Sequence, residues 1–162
     1  MTISRSKPKK EGKASKPIPS NIKQTALKNF QRMRRLEEAN PDGNVRCISC
    51  GKLMPWKESQ GGHYISRTVE ATCNEPDNVW PQCSSCNCYK YGNYTMYRIN
   101  LIKRIGVKRV ERLESMMLAS RGDLEALESL SYEDQYKVTG KKGKVYWNER
   151  NEEYKRRIKE LE

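Results

Sequence analysis

The sequence is poor in the residues that build an ordinary protein interior. It has one phenylalanine and one histidine, and Ile, Leu, Val and Phe together make up 27 of 162 residues. With 32% charged residues and a formal charge of +12, apolar burial alone would leave much of such a chain unable to offset its conformational entropy. No apolar run approaches the roughly 18 residues of a membrane-spanning helix, and Met1-Thr2-Ile3-Ser4-Arg5-Ser6-Lys7 lacks the apolar stretch of a secretory signal. No internal repeat is visible. The expectation is a soluble intracellular protein with no membrane partner, held together by something besides its aliphatic side chains.

The six cysteines are the candidate for that role. Cys47-x2-Cys50 and Cys83-x2-Cys86 each have the two-residue gap that lets one knuckle present two sulfurs to a tetrahedral ion. In a reducing compartment, paired knuckles of this kind read as a structural zinc site, with a redox pair or chance spacing as the competing readings. A closed four-sulfur site contributes on the order of 10 kcal/mol to folding, enough to compensate for a thin core. Cys73 and Cys88 are left over and read as ordinary buried or half-buried thiols.

The positive charge is distributed in blocks. Residues 1–46 carry a net +8, 47–93 are neutral, 94–122 carry +5, and 123–162 carry −1. Basic blocks on either side of a neutral centre suit a polyanion held across a central site, and nucleic acid is favoured over a surface that is basic only for solubility.

Residues 1–20, with six Lys/Arg, three Pro and no aromatic, read as a flexible basic arm able to follow a phosphate backbone. An N-terminal helix is expected within 21–44, with Ile22, Ala26, Phe30 (or Leu27) and Met33 on one face and a stop at Asn40-Pro41-Asp42-Gly43. Val45 to Tyr64, broken by Gly51, Pro55 and Gly61-Gly62, reads as a small β-hairpin. Cys83 to about Arg104 reads as helix, and a second helix after Gly106 carries Val107, Val110, Leu113 and Met117. A short helix holds Leu124, Leu127 and Leu130; a final one follows the Gly140–Gly143 loop, with Tyr154, Ile158 and Leu161 in line. The class is α+β: a small zinc-clamped ββα module over 45–100 within a mostly helical chain, with 101–162 forming a C-terminal helical region. Apolar stripes on the helices at 94–119 and 147–162 exceed what a small zinc module can bury, so one of them is expected at a homodimer interface.

Between the knuckles lies His63, in Gly62-His63-Tyr64-Ile65-Ser66-Arg67, followed by Asn78 and, directly behind Cys86, Asn87. Alone, a histidine reads as a surface residue or as a substitute zinc ligand. The order knuckle, His, Asn, knuckle, Asn resembles the HNH or ββα-metal nuclease module. At Cys47-Ile-Ser-Cys50-Gly51-Lys52, Trp56-Lys57-Glu58-Ser59-Gln60, Gly62 to Arg67, Asn74-Glu75 to Asn78, Gln82 to Asn87 and Lys90-Tyr91-Gly92-Asn93-Tyr94, the chain is similar to the bacteriophage NinG/Rap recombination nuclease family. The resemblance is close over about 45–100, looser in the helical remainder, and absent from the first 20 residues.

This resemblance implies a metal-dependent endonuclease, encoded by a phage and acting in the host cytoplasm on branched DNA such as Holliday junctions and D-loops. It implies cleavage to 5′-phosphate and 3′-hydroxyl ends. His63 then stands as general base, Asn78 as the residue that ties down the loop and orients the ring, and Asn87 as a ligand for a catalytic Mg²⁺ or Mn²⁺. The chain departs from the common pattern at Gly62, where many HNH proteins carry a ligand, and at Tyr91, where some carry another. That leaves Glu58, Glu70, Glu75 or Asp77 as a possible carboxylate ligand. Arg67 and Lys90 read as phosphate contacts or solvated charges, with Arg98, Lys103 and Arg104 as further DNA-binding candidates. Trp56, Tyr64, Trp80, Tyr89, Tyr91 and Tyr94 either stack on unpaired bases or supply core bulk. The competing function is a zinc-stabilised nucleic-acid-binding or adaptor protein without catalysis. Sequence-specific duplex cleavage ranks lower, because no separate reading domain is visible.

Overall fold

The apolar stripe of the first helix is covered by the last helix of the chain. In a computed structural model describing residues 17–162, α1 (Ile22–Glu37) buries Ile22, Ala26, Phe30 and Met33 against Trp147, Tyr154 and Ile158 of α6 (Lys144–Leu161). The spacing of these α1 residues puts them on one helical face. Phe30 and Tyr154 meet with ring centroids 5.2 Å apart. Most of the expected basic arm lies outside the described residues.

Two antiparallel two-stranded sheets lie between these helices in sequence: β1 (Asn44–Arg46) with β2 (Leu53–Pro55), and β3 (Gln60–His63) with β4 (Val79–Gln82). The expected hairpin over 45–64 is therefore confined to β1–β2, and the segment from Gln60 to His63 pairs instead with β4, His63 opposite Val79 and Gly62 opposite Trp80. Gly61-Gly62, read in the sequence as a break, lies inside β3. A Cβ at Gly61 would stand 2.7 Å from the Gln31 Cβ of α1, and one at Gly62 would stand 2.2 Å from the Gln82 Oε1. Close approach of a helix and a buried side chain, not a turn, requires glycine at both positions.

The expected helix from Cys83 to Arg104 is also divided. A single π-type turn, Ser85–Tyr89, is followed by three consecutive left-handed residues, Tyr91, Gly92 and Asn93, before α2 (Tyr94–Ile105) begins. After Gly106, α3 (Val107–Ala119) buries Val110, Leu113 and Met116, while Val107 is exposed and Met117 only partly covered. Two short helices, α4 (Leu124–Ser129) and α5 (Tyr132–Thr139), are capped by the Asp123 and Ser131 side chains and precede α6.

The molecule thus mixes helices with small sheets, as expected of an α+β chain. Tyr97 and Leu101 of α2 and Val110 and Leu113 of α3 are fully covered by one another and by Ile48, Tyr64, Ile65 and Trp80. The inner stripe of α6 is covered by α1, whereas Tyr94, Met96 and Ile99 of α2, Val107 and Leu118 of α3 and Leu161 of α6 stay exposed. Among the described residues, no helix is long and apolar enough to cross a membrane.

Candidate functional site

The first knuckle is the β1–β2 turn. Cys47 N–H donates to the Lys52 carbonyl at 2.9 Å, and Gly51, left-handed at φ 76°, donates back to the Cys47 carbonyl at 2.8 Å. The second knuckle follows β4, and Ile48 N–H ties the two together by donating to the Pro81 carbonyl at 2.9 Å. As a result the ligand atoms of Cys47, Cys50, Cys83 and Cys86 all lie within 4.8 Å of one another, with Cys50 Sγ and Cys83 Sγ 3.8 Å apart. Zinc–sulfur bonds of about 2.3 Å in a tetrahedron place the sulfurs about 3.8 Å from each other, whereas a disulfide requires about 2.05 Å. All six cysteines are free thiols. Burial pushes the Cys86 thiol up to about 12, against the amide hydrogen bond from Asn93 that lowers it. Four crowded sulfurs resist ionising together without a cation, so the donor set fits a metal such as zinc. Of the two remaining cysteines, Cys73 is fully buried in the α1–α6 core, but Cys88 is exposed, its thiol 3.3 Å from Gln60 Oε1.

His63 ends β3, partly buried. Its Nε2 lies 2.9 Å from the Cys73 carbonyl oxygen, which can only accept, so Nε2 carries the proton and Nδ1 is the basic nitrogen. Burial lowers the ring's pKa, opposed by the Cys73 and Gly61 carbonyls and assisted by the Arg67 charge, so the imidazole is neutral at physiological pH.

The loop from Tyr64 to Asp77 is fixed by Asn78, which is wholly buried. Asn78 Nδ2 donates to the Ile65 and Thr72 carbonyls, both at 2.9 Å, Oδ1 accepts from Ile65 N–H at 2.6 Å, and the Asn78 backbone carbonyl accepts from Tyr64 N–H. One amide therefore holds both ends of the loop that carries the Cys73 carbonyl.

Asn87 sits on the π-turn after the second knuckle, where its Nδ2 donates to Gln60 Oε1 at 2.6 Å, linking the turn to the start of β3. Its Oδ1 remains as a neutral donor for an ion. Of the four candidate carboxylates, Glu70 pairs with Lys23, Glu75 with Arg112 and Lys137, and Asp77 with Arg109. Glu58, on the 3₁₀ turn just before β3, forms no ion pair among the described residues. The position of Gly62 is filled from across the sheet by Gln82, whose Nε2 donates to Ser49 Oγ and the Gly92 carbonyl.

The basic candidates separate into two groups. Arg98 is engaged bidentately by Glu114, and Arg104 pairs with Glu38 while lying over the Trp80 ring. Arg67, Lys90 and Lys103 form no ion pair among the described residues. Lys103 and Arg104 line a groove of about 610 Å³ with Arg46, Asn44 and Asn100, and His63 is not part of its lining. Among the aromatic residues, Tyr64 and Trp80 are buried and Trp56 is half-covered beneath Arg35, whereas Tyr89, Tyr91 and Tyr94 are exposed.

Sequence reasoning missed the Asn74 network, which has no local signature. Asn74 Nδ2 donates to the Tyr146 and Tyr154 hydroxyls at 2.8 and 3.0 Å, and its Oδ1 accepts from Lys142 Nζ at 2.7 Å. These partners, some 70 to 80 residues distant in the chain, buttress the residue next to Cys73.

No solved structure matches the chain. It is 38% identical over 101 residues to Protein ninG of Escherichia phage lambda, covering 60% of this chain and 48% of that protein. It is 36% identical over 100 residues to Protein ninG of Salmonella phage P22, with the same coverage. The chain spans about half the length of the curated relatives it matches. The family profile described as Bacteriophage Lambda NinG protein matches residues 2–145, and the chain belongs to that family.

Proposed function

We propose that the chain is a metal-dependent DNA endonuclease of the HNH type, cleaving branched recombination intermediates such as Holliday junctions and D-loops in the cytoplasm of a phage-infected bacterium. The observation that carries this reading is the setting of His63. Its ring is the end point of β3, its tautomer is set by the Cys73 carbonyl, its charge is removed by burial, and its loop is pinned by Asn78.

A histidine needed only for packing or charge has no use for a fixed basic Nδ1. A general base requires one: Nδ1 takes a proton from water as the oxygen attacks phosphorus, and the neutral ring is available for this throughout the physiological range. Asn87 Oδ1 and Glu58, with water and phosphate oxygens, would hold Mg²⁺ or Mn²⁺, which supplies charge stabilisation at the phosphate and the leaving oxygen. Arg67 and Lys90 flank the site in sequence and carry uncompensated charge for the DNA backbone. The four cysteines keep the two knuckles, and with them β3 and the π-turn, in register.

One observation favours the alternative, a zinc-stabilised DNA-binding protein without catalysis. Among the described residues, the cysteine cluster is the only place where three or more His, Cys, Asp or Glu side chains gather closely enough for a metal. Cleavage of labelled four-way junction, D-loop and linear duplex DNA with Mg²⁺ or Mn²⁺ separates the two. The expected result is metal-dependent cutting of branched DNA to 5′-phosphate ends, falling at least about 10²-fold in His63→Ala with DNA affinity retained. Wild-type speed in that variant would refute the base assignment, and absence of cutting on every substrate would favour the binder.

A further inference from the structure

We propose that the turn from Tyr89 to Asn93 is a rigid aromatic probe that stacks on unpaired bases, so that the protein recognises the single-stranded character of a branch point. This rests on the reading of the chain as a DNA-acting protein and adds the feature of the DNA that it selects.

A chain with one phenylalanine and little aliphatic bulk leaves Tyr89 80% and Tyr91 86% exposed, although both flank the metal-binding knuckle. Neither ring packs on another aromatic ring or lies under a cation among the described residues. The backbone that displays them is fixed. Tyr91 and Asn93 adopt left-handed φ values of 47° and 46° around Gly92 at 89°. Such a conformation is unfavourable for a tyrosine and persists only where the surroundings enforce it.

The surroundings do so on both sides. Lys90 N–H donates to the Ser85 carbonyl at 3.0 Å, Gly92 N–H to the Cys86 carbonyl at 2.9 Å, and Asn93 N–H to the Lys90 carbonyl at 2.8 Å. Gln82 Nε2 donates to the Gly92 carbonyl at 2.6 Å, and Asn93 Nδ2 lies 3.4 Å from Cys86 Sγ. The turn is therefore clamped to a metal-ligand cysteine and to the buried side chain that fills the space beside Gly62. The φ of 89° favours glycine at 92, and a Cβ there would also stand close to the Tyr94 ring, at 3.1 Å.

With the backbone of the turn already held by these hydrogen bonds, binding need order only the two tyrosine side chains, which favours stacking over a display on a free loop. The identity of the occupant follows from charge. Lys90 lies between the two tyrosines in sequence, exposed and without an ion-pair partner among the described residues, and the chain is strongly basic, so the π-faces are offered near a phosphate contact. A fully paired duplex hides its base faces, whereas unpaired bases expose them.

The test compares His63→Ala protein, which should bind without cutting, with the same protein additionally carrying Tyr89→Ala, Tyr91→Ala, both, or the matching Phe changes. The probes are a forked DNA with 2-aminopurine at the first unpaired position and a fully paired duplex of equal length. The expected result is that each Ala change weakens fork binding about 5-fold or more and removes the change in 2-aminopurine fluorescence, while duplex affinity, zinc content and circular dichroism stay unchanged and the Phe variants match their parent. Equal losses on fork and duplex, or Ala variants that bind the fork as the parent does, would overturn the proposal. If the unmodified protein cuts no DNA yet the tyrosine-dependent fork signal persists, the nuclease reading fails and this inference stands.

Discussion

At the residue scale, His63 and Asn78 make different kinds of contribution. Burial lowers the His63 pKa, and a general base must be neutral, so the rate should rise with pH and reach half its plateau below about 6.5, the value of a free imidazole. A pH–rate profile of cleavage checks this, and a midpoint above that value would contradict the burial. The same shift bears on stability. A folded-state pKa below the unfolded one means that the contribution is fully present above the unfolded value and is lost as pH falls through the folded one, so mild acid should destabilise the native protein through this ring. Asn78 acts through hydrogen bonds alone. Asn78→Ala leaves the Ile65 carbonyl and N–H without partners in the interior, at about 1–3 kcal/mol for each group left unsatisfied, while the Thr72 carbonyl keeps the Glu75 N–H. Urea unfolding should show a loss of several kcal/mol, distinct from His63→Ala, which should stay folded.

At the element scale, the C-terminal helix supports the site from a distance. Asn74 accepts from Lys142 and donates to Tyr146 and Tyr154, so α6 braces the strand end through the neighbour of Cys73. Asn74→Ala should cost about 1–3 kcal/mol of stability and also slow cleavage, because the Cys73 carbonyl that fixes the His63 tautomer loses its brace. Tyr154→Phe, which removes one hydroxyl and keeps the ring against Phe30, should be the milder change; thermal melts beside single-turnover rates distinguish them. The short helix α4 is attached by apolar packing of Ala126 and Leu127 against Met116 and Ala119, whereas α5 is held mainly by ion pairs. Arg112 bridges Asp134 and Glu75, and its hydrogen bond, against the cost of burial, holds the Asp134 carboxyl below its ordinary value.

At the scale of the whole molecule, a metal on the four cysteines would supplement a core thin in aliphatic side chains. Stripping it with a chelator, or Cys47→Ser, should unfold the β1–β4 region cooperatively, because the two knuckles join segments more than 30 residues apart in a part of the chain with few aliphatic side chains. Metal analysis should find one zinc per chain, and circular dichroism before and after chelation reads the effect. We propose a homodimer on two grounds: Met96, Ile99, Val107 and Leu118 leave apolar surface exposed on α2 and α3, and two cuts at one junction call for two copies of a single site. Light scattering of the junction-bound protein should give the mass of two chains, and one chain per junction would contradict this.

The sequence by itself determined whatever depends on local spacing. The face of α1, the two cysteine knuckles, and the place of His63 between them follow from periods of a few residues and from thiol chemistry, and each was legible without coordinates. The tertiary structure alone decided which segments pair and what the side chains meet. Gly61-Gly62 reads as a break until α1 and Gln82 are seen pressing on β3, and the helix expected after Cys83 gives way to a left-handed turn because Gln82 and Cys86 hold Gly92 in place. Glu70, Glu75 and Asp77 look available as ligands until their lysine and arginine partners arrive from other elements. For Gly61 and the three carboxylates the deciding contact joins residues 30 or more positions apart, and for Gly62 and Gly92 it comes from the buried Gln82 side chain; no local pattern encodes either.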